Sequence, residues 1–240
     1  MKTVAIVQAR MGSERLPAKI MADLAGKPML ARVVERLSRS ASLDDVIVAT
    51  TVQAADDAVE KFCQEWNFPY FRGSEMDVLD RYYQAAKETR ADVVVRCTSD
   101  CPLIDPDLVS KVVDRFNSVD VDYLSNTYPE RTFPRGLDTE VMHFSVLERV
   151  WQEATAPSFR EHVTLYILRH RQLFKLDGLL HSKDLSALRW TVDTAEDLAL
   201  ARKFYEHFQG DDFTWLEALE AFEKNVEWKS LNDKIKQKSV

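Results

Sequence analysis

No apolar run in this chain approaches the roughly 20 residues that a helix needs to cross a bilayer. A helical membrane protein is therefore excluded. Surplus positive charge is missing too: 32 Lys and Arg stand against 39 Asp and Glu, a formal charge of −7. A broad nucleic-acid-binding surface is not expected from that balance, and no local basic stripe is evident. Cysteine is scarce. Cys63, Cys97 and Cys101 are odd in number and lack the spacing of a disulfide framework. Cys97-x-x-x-Cys101 has no Cys or His pair nearby to complete a zinc site, so ordinary thiols are expected. Met1-Lys2 leads directly into a strand-like run with no signal-peptide pattern, and the expected location is the cytoplasm. Repeats and low-complexity tracts are also missing. What is present is an apolar content of 45%, enough to bury a core and to argue against disorder.

Thr3–Val7 is apolar and rich in β-branched residues, and the polar segment Gln8–Leu16 follows it. That pattern reads as a buried strand running into a functional loop. Helical spacing begins at Pro28 and continues to Ser40. Val46–Thr50 is a second strand, Ala54–Trp66 a helix and Pro69–Phe71 a short strand. Met76–Thr89 is helical, Asp92–Cys97 a strong strand, and Thr98–Asp105 a loop before a helix that Pro106 opens. Strands alternating with helices imply a Rossmann-like, mostly parallel α/β sheet with helices on both faces. Such sheets bind ligands at the carboxyl ends of their strands, where the loops after Val7 and Cys97 both sit.

The rhythm breaks between Asp120 and Asp177. Strands are expected there near Val121–Ser125 and Thr139–Met142, with helices over Ser145–Glu153 and Ser158–Arg169. The expectation is one domain over residues 1–240, with an inserted α+β subregion at about 120–180 that shapes an acceptor pocket or a dimer contact. Leu188–Val192 reads as a returning strand and Ala195–Phe208 as a helix capped by Asp193-Thr194. From Phe213 the chain is again helical, with Trp215, Leu216, Leu219 and Phe222 on one face.

The segment Gln8-Ala9-Arg10-Met11-Gly12-Ser13-Glu14-Arg15-Leu16-Pro17-Ala18-Lys19 brings together what a triphosphate needs. Gly12 permits close backbone approach, Ser13 and its neighbours offer N–H groups, and Arg10, Arg15 and Lys19 bring charge. The spacing is not that of a P-loop. On composition alone, a solvated charged loop would look similar.

Together with Gly26-Lys27-Pro28-Met29-Leu30, this segment resembles the signature of the sugar-acid cytidylyltransferases. Those are the CMP-sialic acid and CMP-Kdo synthetases, and especially the SpsF-like branch of spore-coat polysaccharide biosynthesis. The resemblance covers roughly residues 3 to 200. It implies that Arg10, Gly12, Ser13, Arg15 and Lys19 bind the phosphates of CTP, with Arg10, Arg15 and Lys19 also stabilising the leaving pyrophosphate. Thr98-Ser99-Asp100-Cys101-Pro102-Leu103 is similar to the family's G-D-x-P-L-I motif, with Ser99 in place of the usual glycine. Thr191-Val192-Asp193-Thr194-x-x-Asp197-Leu198 is similar to its V-D-T-x-x-D-L segment. The resemblance thus implies a Mg²⁺ pair at Asp100 and Asp193. By the residues alone, Asp100 is equally a turn former and Asp193 a helix cap with Asp197 assisting the dipole.

Phe71–Tyr82 resembles the SpsF-type G-S-x-x-D-V-L-x-R-Y stretch, which implies base or ribose contacts by Arg72 and Asp77. Ser74 reads simply as the cap of the helix that follows. On the acceptor side, Gly136-Leu137-Asp138-Thr139-Glu140 and Arg160-Glu161-His162-Val163-Thr164-x-Tyr166 resemble further family segments. They imply that Arg160 and His162 meet an acidic group of the acceptor and Glu140 its hydroxyls. Arg135 departs from the family, where many relatives carry an acid before the glycine. Asp120-Val121-Asp122 has the D-x-D spacing of metal-dependent glycosyltransferases and keeps that activity open as an alternative. A non-catalytic nucleotide-binding protein is the third reading, against which the intact Arg/Lys loop counts. The resemblance also implies a homodimer.

Overall fold

The middle of the first strand, Val4–Val7, is apolar at every position because both of its faces are covered. The computed structural model describes residues 1–237 of the chain. In it β1 (Thr3–Gln8) lies between β2 (Asp45–Thr51) and β4 (Val93–Thr98) and is parallel to both; β3 is Tyr70–Gly73. Val4 and Ile6 enter one hydrophobic cluster, Ala5 and Val7 the other. Side chains alternate across a strand, so a doubly covered strand must be apolar throughout. With β5 (Tyr123–Ser125), β6 (Glu140–His143) and β7 (Leu176–Gly178), a seven-stranded sheet forms in the order β3-β2-β1-β4-β6-β5-β7. β6 is antiparallel to both its neighbours, and every other adjacent pair is parallel. The expected mostly parallel α/β sheet is therefore present.

Helices cover both faces. On one lie α1 (Met29–Leu37), α2 (Asp57–Trp66), α4 (Pro106–Ser118), α8 (Ala195–Phe208), α9 (Trp215–Lys224) and α10 (Val226–Lys229); on the other lie α3 (Val78–Glu88), α5 (Phe144–Glu153) and α7 (Leu165–Arg169), with α6 (Pro157–Glu161) beside them. Pro106 occupies the first turn of α4, and Asp105 caps it by accepting from the Leu108 amide at 2.7 Å. Its second carboxylate oxygen accepts from the Trp215 amide, also at 2.7 Å, so one acid fixes α4 and the start of α9.

Several expected elements differ. Segment 120–180 supplies β5, β6 and β7 to the sheet, where β7 is a strand that was not expected. The helix expected over Ser158–Arg169 is two short ones, parted at His162–Thr164. Thr164 there turns its hydroxyl to the buried Glu140 carboxylate, at 3.2 and 3.3 Å. Leu188–Val192 is extended but joins no ladder beyond a single bridge between Arg135 and Arg189. Asp77 rather than Ser74 caps α3, and Ser74 accepts from the Asp77 amide. Of the residues expected on one face from Phe213 on, Trp215 and Phe222 are buried and Leu216 is exposed.

Candidate active site

Gln8 and Thr98, the last residues of β1 and β4, sit side by side in register. From β1 the chain crosses to β2 on one side, while β4 lies on the other, and a crevice opens where the order reverses. A cleft of about 390 Å³ occupies this point, lined by Arg10, Gly12, Ser13, Arg15, Lys19, Asp100 and Asp193 among others. Seven residues chosen from three distant segments thus meet in one place.

The loop after β1 is tied down from β2. Its Met11 amide donates at 2.7 Å to Oδ1 of Asp56, and the Thr51 hydroxyl donates to the other oxygen of the same buried carboxylate. The amides of Ser13 and Ala18 both donate to the Met11 carbonyl, at 2.9 and 3.1 Å, so the loop turns about that oxygen. Left-handed backbone falls on Ala18, with φ 55°, and not on Gly12. A Cβ on Gly12 would meet no protein atom within 4 Å. The glycine therefore leaves open space above the loop instead of resolving a strained turn.

Lys19 stands at the centre. Its ammonium donates to Asp193 at 2.8 Å, to the Val192 carbonyl at 2.8 Å and to Asp100 at 3.2 Å. Burial alone would depress the Lys19 pKa, but the two carboxylates outweigh it and hold the pKa above the ordinary lysine value. Asp193 is likewise held below the ordinary aspartate value. Its burial opposes this, but Lys19, Arg189 and Arg15 prevail. Arg15 and Arg189 approach its second oxygen at 2.8 and 2.9 Å. Among the described residues the outer oxygen of Asp100 has only Lys19, while the inner one accepts from the Thr98 hydroxyl at 2.6 Å.

Asp193 reaches this place because segment 189–194 is pinned at both ends. The Val192 amide and the Thr191 hydroxyl donate to the Asp100 carbonyl at 2.8 and 3.1 Å. Behind them, Asp197 accepts from the Asp193 and Thr194 amides at 3.0 and 3.1 Å. Thr194, not Asp193, is the cap of α8, in a reciprocal capping box with Asp197. The Asp193 side chain is thereby left to face the cleft.

Two further cavities adjoin. One, of about 560 Å³, is lined by Arg10, Glu75, Asp77, Arg81, Arg160 and His162 with their neighbours. Here Arg160 grips both oxygens of Asp77 at 2.6–3.0 Å and donates to the Trp151 carbonyl, so its guanidinium is already engaged. Arg10 is half-exposed and, among the described residues, pairs only with Glu75, at 3.4 Å. The other cavity, about 390 Å³, lies on the far side of Asp100 and Asp193 and is lined by Arg131, Arg135, Asp138, Glu140 and Gln237 among others. Arg96 lines all three cavities, paired to Glu140 at 2.8 Å.

Arg72 lines none of these cavities. It turns back from β3 to Asp57 and Glu60, at 2.8 and 2.5 Å, and so ties β3 to α2. The D-x-D acids are also committed elsewhere: Asp120 pairs with Lys175, and Asp122 accepts from the Lys175 amide at 2.7 Å. Among the residues that line these cavities or anchor the loop, sequence reasoning passed over Arg96, Arg131 and Asp56. Only Arg96 carried a local signal, as a lone charge inside the otherwise apolar run Val93-Val94-Val95-Arg96-Cys97.

The chain has relatives of known family. The spore coat polysaccharide biosynthesis protein SpsF of Bacillus subtilis is 34% identical over 208 residues, covering 84% of this chain and 85% of that protein. A 3-deoxy-manno-octulosonate cytidylyltransferase of Sodalis glossinidius is 33% identical over 186 residues, 71% of this chain and 72% of that one. The structure of a cytidylyltransferase from Leptospira borgpetersenii superposes with a TM-score of 0.92 at 34% identity, over the whole of both chains. The cytidylyltransferase family itself matches residues 4–238. The chain belongs to the cytidylyltransferase family.

Proposed function

We propose that the chain transfers CMP from CTP to an acidic, sugar-like acceptor of surface-polysaccharide synthesis, with Mg²⁺ held by Asp100 and Asp193. The supporting observation is that one ammonium, Lys19, reaches both carboxylates at the mouth of the phosphate loop. The donor set suits magnesium: two carboxylates, no sulfur or imidazole, and a cleft beside them for the phosphates that complete its shell. Bound there, the ion would neutralise charge on the α-phosphate.

The protein's own groups divide the remaining work. Gly12 gives the triphosphate room and its amide, Ser13 its hydroxyl, and Asp77 lies where the nucleoside extends. An acceptor oxygen attacks the α-phosphorus, a new P–O bond forms, and the bond to the bridging oxygen breaks to release pyrophosphate. Arg10, Arg15 and Lys19 hold the charge that accumulates on that leaving group. His162 and Glu140 are proposed to meet the acceptor, and Arg160 to orient Asp77 and its surroundings. No enzyme nucleophile is involved. Burial pushes the Cys97 thiol up to about 12 and that of Cys101 well above its ordinary value, which keeps both inert. The active form is proposed to be a cytoplasmic homodimer.

Pyrophosphate release with Mg²⁺, measured for each of the four NTPs against sugar acids and sugar phosphates, tests this. CTP-selective release with one acceptor is the expected outcome; release from no NTP with any acceptor, or equal use of all four, contradicts it. A second measurement probes the loop anchor. Asp56→Ala leaves the Met11 amide and the Thr51 hydroxyl without their buried partner, a loss of about 1.5–3 kcal/mol for bonds to a charged group. The KM for CTP should rise roughly 10- to 100-fold on that figure, and an unchanged KM would show that the loop holds its shape unaided.

A further inference from the structure

Three arginines line the cavity on the far side of Asp100 and Asp193. Arg96 is neutralised by Glu140 and Arg131 by a two-pronged pair with Asp138, at 2.5 and 2.6 Å. Among the described residues, Arg135 lines this cavity with neither an ion pair nor a side-chain hydrogen bond. Its place is nevertheless fixed. The Arg135 amide donates to the Leu188 carbonyl at 2.9 Å, and its carbonyl accepts from the Trp190 amide at 2.7 Å. Gly136 follows at φ 103°, packed so closely that a Cβ there would stand 2.6 Å from the Thr191 nitrogen. Half-buried, rigidly mounted and flanked by like charge, this guanidinium lacks the anion that such a group recruits.

We infer that Arg135 receives an oxyanion of the acceptor, a carboxylate or a phosphate, and so sets acceptor specificity. This rests on the proposed CMP transfer, since the cavity matters to the reaction only if Asp100 and Asp193 mark the α-phosphate. It also relocates the acid-binding role. Arg160, which resemblance nominates, spends its guanidinium on Asp77 and the Trp151 carbonyl. Arg135 has its guanidinium available and adjoins Thr191, between the cavity and the Asp100 loop. A carboxylate or phosphate seated on it would lie across the carboxylate pair from the phosphate loop, leaving the acceptor between its own anchor and the reacting phosphorus.

The test is calorimetric titration of the full chain loaded with Mg²⁺ and α,β-methylene-CTP, which fills the phosphate loop without reacting. The probes are 3-deoxy-manno-octulosonate for a carboxylate and glucose 1-phosphate for a phosphate. The wild type should bind one of them. Arg135→Gln should weaken that binding at least about tenfold, as expected for a lost charge-assisted contact, and Arg135→Lys should restore part of it. Affinity for the CTP analogue should be the same in all three. The probe that responds identifies the anion. Equal binding by Arg135→Gln, or binding of neither probe by the wild type, overturns the assignment. Failure of CTP turnover in the wild type, with the Arg135-dependent binding intact, would instead count against CMP transfer alone.

Discussion

Asp100→Asn should lower kcat/KM roughly 10²- to 10³-fold, the scale on which one electrostatic contact to a transition state is lost. The reasoning starts from the side chain's surroundings. Its inner oxygen accepts from the Thr98 hydroxyl at 2.6 Å, a bond an asparagine carbonyl can keep. Its outer oxygen faces Lys19 at 3.2 Å, and there the substitution sets an amide N–H₂ against an ammonium. The fold should therefore survive while the charge that holds both Lys19 and a divalent cation is halved. Steady-state kinetics with CTP give the first readout. Mn²⁺ binding followed by its spin-resonance signal gives the second, in which the variant should bind the ion more weakly in the presence of nucleotide. Wild-type turnover by Asp100→Asn would remove the proposed metal site. Unchanged Mn²⁺ binding with lost turnover would move Asp100 from cation holder to a positioner of Lys19.

The structure also shows which parts of this arrangement a sequence can display. β1, β2 and β4 were legible because strands buried on both faces carry near-continuous apolar runs, here Val4–Val7, Val46–Ala49 and Val93–Val95, a local pattern. Pro106 and Asp105 announced α4 for the same reason, each acting within its own turn. Beyond residue 120 the signals become long-range. β7 is only Leu176-Asp177-Gly178, too short and too polar to read as a strand, and it exists because β5 offers it an edge. Leu188–Val192 has the composition of a strand and the extended backbone of one. Its amides and carbonyls, however, go to Arg135 and to the Asp100 loop instead of a ladder.

The site divides along the same line. Arg10, Gly12, Ser13, Arg15 and Lys19 lie in one short segment, and their spacing could be read at once. That Lys19 would stand between Asp100 and Asp193, 81 and 174 residues away, is a property of the sheet order. Arg72 illustrates the converse. The resemblance implies a ligand role for this motif position, yet the side chain leaves β3 toward α2, whose first turn places Asp57 and Glu60 within reach. Asp56 carries no motif at all. Its importance comes from burial beside the loop it restrains, a fact visible only in three dimensions.

Asp197→Ala should be the most destabilising single change around the site, by about 3–5 kcal/mol, the usual result of breaking a buried ion pair from one side. Asp197 accepts five hydrogen bonds: two from Arg189 at 2.9 Å, one from Asn232 at 2.9 Å, and those of the Asp193 and Thr194 amides. Its side chain is fully buried and that of Arg189 is 7% exposed, so removing the acid strands a guanidinium that keeps, among the described residues, only Asp193 and Gln237 for support. For a domain of this size the midpoint of thermal unfolding should fall by roughly 6–20 °C. Asp197→Asn should lose most of the same amount, since its N–H₂ would oppose donors instead of accepting from them. The pH dependence has a definite sign. Burial alone would raise the Asp197 pKa, but Arg189, Asn232 and the Asp193 amide hold it below the ordinary 3.8. Its contribution is therefore present above about pH 3.8 and lost as pH falls through the lower folded value. The gap between wild type and Asp197→Ala should accordingly be widest near neutrality and close in acid. A gap that stayed constant down through that range would mean the loss comes from volume and packing rather than from charge. In that case Asp193 would be held in the cleft by the shape of the α8 turn, and the ion pair behind it would be incidental.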